Sequence, residues 1–285
     1  MAFICGIILL ILSLFGGYKF MNGNLSTLWQ PFEIIMIIGA AAGAFIIANP
    51  RHIIKAVYDN ILIFISPKKH QAVDPLDVLG LIYSLLEILN NEGAQALGKH
   101  INAPKRSELF KQYPLVLSDI CLTNFIVDYF RIISTGKMSS KEIGDLIDIE
   151  IESRLQELSM PAAALNKTAD YLPGFGILSA ILGIVTAMGS LGGDPMLLGQ
   201  QVASALIGTF IGLLLGYGLI GPLSSALAYR ALEEIKLFDA CKGALIATVS
   251  GIPPKLAIEF GRKTLFSTDR PSFKQVQKLT QVTAS

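Results

Sequence analysis

Apolar positions in this chain gather into long unbroken blocks. Phe3–Tyr18, Ile34–Pro50, Tyr171–Gly193 and Pro195–Tyr229 contain no charged residue, and Val202–Leu223 is the most apolar part of the last. A helix that crosses a bilayer needs about 20 mostly apolar residues. The pattern predicts four membrane-spanning helices in two hairpins, the first two at the short end. Phe3–Tyr18 is read as a retained span: it has no basic leader, and no small-residue cleavage site precedes the next block.

Between the hairpins the pattern becomes periodic. Leu79, Ile82, Leu85, Leu86 and Leu89 share one face of a helix over Val78–Leu89. Leu115–Ile133 reads as helix too, and Ala72–Pro75 as a short break. Ser139 and Glu142 have capping-box spacing. The helix they open runs through Ile143, Leu146, Ile147, Ile149 and Ile151, and carries Glu142, Asp145, Asp148, Glu150, Glu152 and Glu157. That acidic surface is either a solvated face or a dock for a basic partner. No alternation supports a sheet. The expected fold class is all-α. Residues 1–50 form the first transmembrane hairpin, 51–170 a cytoplasmic helical domain, 171–223 the second hairpin, and 224–285 a cytoplasmic helix and tail.

Charge supplies the topology. Arg51–Asp170 holds 13 of the 23 Lys and Arg residues, Ser224–Ser285 holds 9, and Lys19 is the last. The links Met21–Phe32 and Gly193–Gln201 hold none. By the positive-inside rule both large segments and both termini are expected in the cytoplasm. A net charge of +1 argues against nucleic acid as a partner. Cys5, Cys121 and Cys241 are too scattered for a disulfide framework or zinc site, and His52, His70 and His100 lack ligand spacing. Gly174-x-Gly176 opens a span and follows no strand, so it is no dinucleotide loop. No catalytic constellation or cofactor motif appears, and the expectation is a protein that is not an enzyme.

The spans carry the candidate chemistry. Gly208, Gly212 and Gly216 form a smooth stripe in span four. Gly176, Ala180, Gly183, Thr186 and Ser190 form another in span three, and Gly39, Ala40 and Gly43 lie in span two. Such stripes let helices approach closely in lipid. Thr186 and Thr209, ~9 and ~12 Å from the outer ends at 1.5 Å per residue, are placed at one depth, where they either pack or line a wet path. Pro173 opens span three and Pro222 closes span four, both at the cytoplasmic end, as helix punctuation or as paired hinges. No span has an ionisable residue at its middle, and Glu33 is too near the outer face to serve there. A proton relay needs such a group, so a partner would have to supply it.

Several segments resemble the MotA family, the larger subunits of bacterial flagellar stators. The tail Glu259-Phe-Gly-Arg-Lys-Thr-Leu-Phe-Ser-Thr-Asp-Arg-Pro-Ser-Phe273 carries the likeness. So do Asp170-Tyr-Leu-Pro-Gly-Phe-Gly-Ile177, Gly208-Thr-Phe-Ile-Gly-Leu-Leu-Leu-Gly-Tyr-Gly218, Phe125-Ile-Val-Asp-Tyr-Phe-Arg131 and Gly16-Gly-Tyr18. The resemblance implies a pentamer around two MotB subunits, whose aspartate carries the ion, and a cytoplasmic face that turns the rotor protein FliG. It implies coupling roles for Pro173 and Pro222 and a pore-facing Thr209; Asp170, beside Pro173, is a coupling candidate with them, and Ala180 and Thr186, the latter from its depth, join Thr209 as ion-path candidates. Ala180 stands where sodium-driven relatives tend to have threonine, which favours protons over sodium. Asn90 and Gly98 stand where relatives often carry an arginine and a glutamate used against FliG, so rotor contact falls to Glu87, Glu92, Lys99 and Glu150. Besides the sodium-driven variant, the alternatives are an ExbB- or TolQ-like energiser, which has three spans and no such tail, and a passive membrane scaffold.

Overall fold

The structure is a computed structural model that describes residues 2–65, 72–189 and 195–282. Ser190, His70 and the start of the second outer link lie outside the described residues. Among the described residues all regular structure is helical. In chain order the α-helices are α1 (Ala2–Ile11), α2 (Gly17–Phe20), α3 (Pro31–Ala48), α4 (Arg51–Ile65), α5 (Pro75–Asn91), α6 (Ala94–Ile101) and α7 (Glu108–Lys111). There follow α8 (Pro114–Ser118), α9 (Ile120–Ser134), α10 (Ser140–Met188), α11 (Pro195–Leu213), α12 (Gly221–Val249), α13 (Pro254–Thr264) and α14 (Phe273–Val282). Helical stretches at Phe3–Phe20, Leu25–Ala48, Ser140–Met188 and Pro195–Val249 are each long and apolar enough to cross a membrane. Each overlaps one of the four charge-free blocks, and the last two run well beyond theirs into charged sequence.

The chain divides into two compact units, Met1–Pro67 with Leu158–Tyr229, and Lys68–Glu157 with Arg230–Ser285. In the first, the membrane unit, Ile37 and Ala41 of α3 pack with Leu172, Ile207 and Ile211. At another place Ile53 and Val57 of α4 pack against Ala162, Leu165, Leu223 and Leu227. Span one joins α1 to α2 through a π-helical stretch, Leu12–Gly16. A second π stretch, Leu214–Ile220, joins α11 to α12 and ends two residues before Pro222. Proline donates no hydrogen bond and crowds the preceding turn, and a widened turn just before it relieves both.

The second unit is built on α5. Asp74 caps it by accepting from the Leu76 amide at 2.8 Å. Val78 to Leu86 are buried all round, so where the sequence shows a one-sided face the middle of the helix is enclosed. The tail returns to cover it. A Cβ on Gly80 would lie 2.9 Å from Leu279 Cδ1 and from the Tyr113 hydroxyl. The Tyr83 hydroxyl donates to the Thr280 carbonyl at 3.3 Å. The stretch Leu115–Ile133 is two helices, because Asp119 ends α8 and caps α9 through the Leu122 amide.

The expected capping box is present. The Ser139 amide and hydroxyl donate to Glu142 at 2.8 and 2.7 Å, and the Glu142 amide donates back at 3.3 Å. Hydrogen bonds from the Ser139 amide, then from its hydroxyl, hold the Glu142 carboxyl below its ordinary 4.5. A lowered carboxyl stabilises the fold above its unfolded pKa, and this contribution fades as pH falls through the folded value. Ser139→Ala is therefore expected to lower the thermal midpoint most at neutral pH, and by less once Glu142 is protonated, when only the cap on the Glu142 amide is lost. Circular-dichroism melts at the two pH values measure the difference.

Candidate ion-path and coupling site

Spans three and four meet along a seam with almost no side chain in it. A Cβ built on Gly212 would lie 2.6 Å from the Leu172 carbonyl oxygen and 2.9 Å from Gly176 Cα. One on Gly176 would lie 2.9 Å from the Gly208 carbonyl oxygen, and one on Gly216 would lie 2.6 Å from that of Ala169. Gly183 meets Ala205 in the same way. The two helices run antiparallel, and their glycines bring backbone against backbone.

This register corrects two expectations. Pairing Gly183 with Ala205 and Gly176 with Gly212 sets Thr186 opposite the first turns of α11, while Thr209 stands level with Gly176 to Ser179. The two threonines are therefore roughly 10–16 Å apart along the helices at 1.5 Å per residue, and not at one depth. Counting inward from each span's end failed because α11 starts well beyond the level of Thr186. Thr186 is exposed, and its hydroxyl donates to the Leu182 carbonyl at 3.0 Å. Thr209 is half-buried, and Ala180 is buried within a turn of its level.

The prolines are not level either. Pro173 abuts Gly216, with its Cδ 3.0 Å from that glycine's Cβ direction. Pro222 lies farther along, just before Ser224, whose hydroxyl donates to the Ala162 carbonyl at 2.8 Å. Moreover, Pro173 does not start a helix. It lies inside α10, which runs unbroken from Ser140 to Met188 and also contains Pro161. Asp170 is exposed on the turn before Pro173.

Sequence reasoning missed two polar features in these helices. Ser179 is 2% exposed, and among the described residues its hydroxyl has no hydrogen-bond partner. It points at Gly208, 3.2 Å from that residue's Cβ direction. The signal was legible, since Ser179 follows Gly176 by three residues and shares its face. The second feature is Glu33 in the first turn of α3. It is 8% exposed and accepts a hydrogen bond of 2.6 Å from the Ser204 hydroxyl of α11. Its chain partner lies 171 residues away, and no local pattern announces such a bond. Ser204→Ala would leave this buried carboxylate short of a donor, which costs about 1–3 kcal/mol. A lower melting temperature of the purified complex, with Ser204→Thr close to the parent, is the expected result.

The remaining candidates lie in the second unit. Glu92 is exposed at the α5–α6 corner and Lys99 in the last turn of α6, and Glu87 in the last turns of α5 accepts from the Asn91 side chain at 3.0 Å. Asn90 is exposed beside them and donates to Asn91. Glu150 is on a different helix, where it accepts from the Tyr129 hydroxyl at 2.7 Å. Burial, then the bond to Glu150, pushes the Tyr129 phenol up. Asp148 pairs with Lys242 and Arg154 with Glu234, so part of the acidic surface is spent inside the unit. Burial likewise raises the Cys241 thiol, which makes it a packing residue rather than a nucleophile. Among the described residues no cluster has the makings of a metal site.

A four-span, all-helical membrane protein with a glycine-lined seam and a separate helical unit is the class that the fold defines. Residues 4–93 match the model of the Motility protein A N-terminal family, and residues 121–240 match that of the MotA/TolQ/ExbB proton channel family. The chain is 39% identical to Motility protein A of Salmonella typhimurium over 98% of its own length and 94% of that protein's. It is 39% identical to Chemotaxis protein LafT of Vibrio parahaemolyticus over 96% of each. A structure of Campylobacter jejuni MotAB shares the fold, with a TM-score of 0.76 at 19% identity, covering 95% of this chain and 98% of that one. The flagellar MotAB stator complex of Bacillus subtilis gives 0.72 at 21%, with the same coverage. The chain belongs to the MotA family.

Proposed function

We propose that this chain is the larger subunit of a bacterial flagellar stator. With a single-span MotB-like partner it forms a proton path across the inner membrane, and ion flow is converted to torque on the rotor protein FliG. The observation that carries the reading is the near-full-length identity to Motility protein A, which spans both hairpins, the cytoplasmic segments and the tail. Family membership makes it a motor and channel subunit and not an enzyme. Match of the amino-terminal family model over residues 4–93 favours this over an ExbB- or TolQ-like energiser.

The residues divide the work. Tyr171–Gly193 and Pro195–Tyr229 contain no ionisable carboxylate, so the partner's aspartate carries the ion. Thr209 and Ala180, close in level, form the wall it passes, with Thr186 nearer the outer end of the same path. Ala180 offers no hydroxyl to replace sodium's hydration shell, which supports protons. Pro173 lies against Gly216 and Pro222 follows the π stretch, so both lie where the helices can bend, and Asp170 flanks the first. Five copies around two partner spans would rotate and present Glu87, Glu92, Lys99 and Glu150 to the rotor. The Lys- and Arg-rich segments and both termini lie in the cytoplasm, following the charge asymmetry.

Tracking cells rescued by variants tests the assignment. Thr209→Val and Pro173→Ala are expected to reduce swimming speed at least tenfold while the subunit stays in the membrane. Parent-rescued cells are expected to swim equally with and without sodium at fixed proton-motive force. Full swimming in both variants would make the chain a scaffold, and sodium-dependent rescue would reverse the reading of Ala180.

A further inference from the structure

Helix α4 begins where span two ends. The last helical residue of α3 is Ala48, Asn49 is extended, and α4 starts at Arg51. Its first turn is therefore held at the membrane boundary. One face is committed, with Ile53 and Val57 buried among Ala162, Leu165, Leu223 and Leu227. The opposite face carries Arg51, Lys55, Tyr58 and Leu62. At 100° per residue these four lie within one narrow stripe, and all four are exposed, Tyr58 by 63% and Leu62 by 40%. Their order runs from two cations to an aromatic ring to an aliphatic chain.

The cations are free. Among the described residues, neither Arg51 nor Lys55 has an ion-pair partner. Asp59 and His52 lie on the flank of the stripe, and Asp59 does not pair with Lys55 despite its i,i+4 position. A water-facing helix gains nothing from exposing Tyr58 and Leu62. A helix lying along a bilayer surface gains from both, with aromatic and long basic side chains reaching the headgroup layer.

We infer that this face of α4 binds anionic phospholipid headgroups of the leaflet it borders, with Arg51 and Lys55 on the phosphates and Tyr58 and Leu62 in the interfacial layer. Charge complementarity and direct continuity with span two select lipid over a soluble partner. The inference rests on membrane insertion and not on the ion carried or on rotor contact.

The test uses the full complex with its MotB-like partner, in vesicles whose two leaflets have the same composition. Insertion direction then has no influence on the result. Trp29 is the chain's single tryptophan, so Trp29→Phe with Tyr58→Trp places one fluorophore in the stripe. Brominated phosphatidylglycerol is expected to quench it several times more than brominated phosphatidylcholine at the same mole fraction. Each cation contributes roughly fivefold to local enrichment at low salt, and the preference should shrink as salt rises. Arg51→Gln with Lys55→Gln should bring the two lipids to equal quenching. Equal quenching by both lipids in the parent would overturn the proposal. So would no quenching by either, which would mean that a neighbouring subunit covers the face. The salt series on the parent keeps the test decisive if the double variant does not assemble.

Discussion

Gly212→Ala is expected to cost about tenfold in assembled stator, although alanine is the better helix former by about 1 kcal/mol. The new methyl would lie 2.6 Å from the Leu172 carbonyl oxygen and 2.9 Å from Gly176 Cα. Both obstacles are backbone, so no rotamer change relieves them. The helices must separate, and Gly176, Gly208 and Gly216 lose their close contacts together. Overpacking of this kind costs about 1–3 kcal/mol, and 1.4 kcal/mol is a factor of ten. In lipid no hydrophobic gain offsets it, because the seam trades packing for packing. Gly39→Ala in span two meets nothing within 4 Å in the chain itself and serves as the contrast. Membrane abundance of the complex, compared between the two variants, reads the difference. A fully assembled Gly212→Ala complex would show that the seam is looser than its geometry requires.

Arg262→Met is expected to loosen the second unit. Arg262 is 7% exposed, donates to both carboxylate oxygens of Glu259 at 2.7–3.0 Å, and reaches the Pro271 carbonyl at 3.1 Å. The side chain thus ties α13 to the segment that leads into α14, and α14 covers α5. Methionine fills the volume but leaves Glu259 partly buried without its partner. Removing one member of a buried pair costs about 3 kcal/mol or more. Lysine keeps the charge without the two-pronged geometry, so Arg262→Lys should fall between them. Thermal unfolding of the purified complex should show a clear drop for methionine and a smaller one for lysine. Protease should cut the tail of the methionine variant first.

Both sites lie where local sequence pattern stops and tertiary packing decides. The spans were legible because lipid forces every backbone group into a helix and excludes charge, so composition alone marks their extent. The capping box at Ser139 and Glu142 was legible because both partners lie within one turn. A second box, Ser272 with Gln275, has the same local signature and was overlooked. The tail motif Glu259–Phe273 could be matched to a family but not explained, since the reason for Arg262 is a carbonyl beyond a turn. Gly261 makes sense only beside Ala240 and Gly243 of another helix. Likewise the glycine stripes were visible, but their register was not, and the relative depth of the threonines and prolines depends on register. Glu33 was placed correctly near one end of its span. Its bond to Ser204 is a tertiary fact with no sequence period.

The central claim is that this chain is the force-generating subunit of a flagellar motor, and deletion of its gene tests that most directly. Filaments are counted and swimming is tracked in the same cells. The account predicts cells with a normal number of filaments that do not rotate them, restored by the parent chain supplied in trans. Deleted cells that swim at normal speed in a host without a second stator would contradict it.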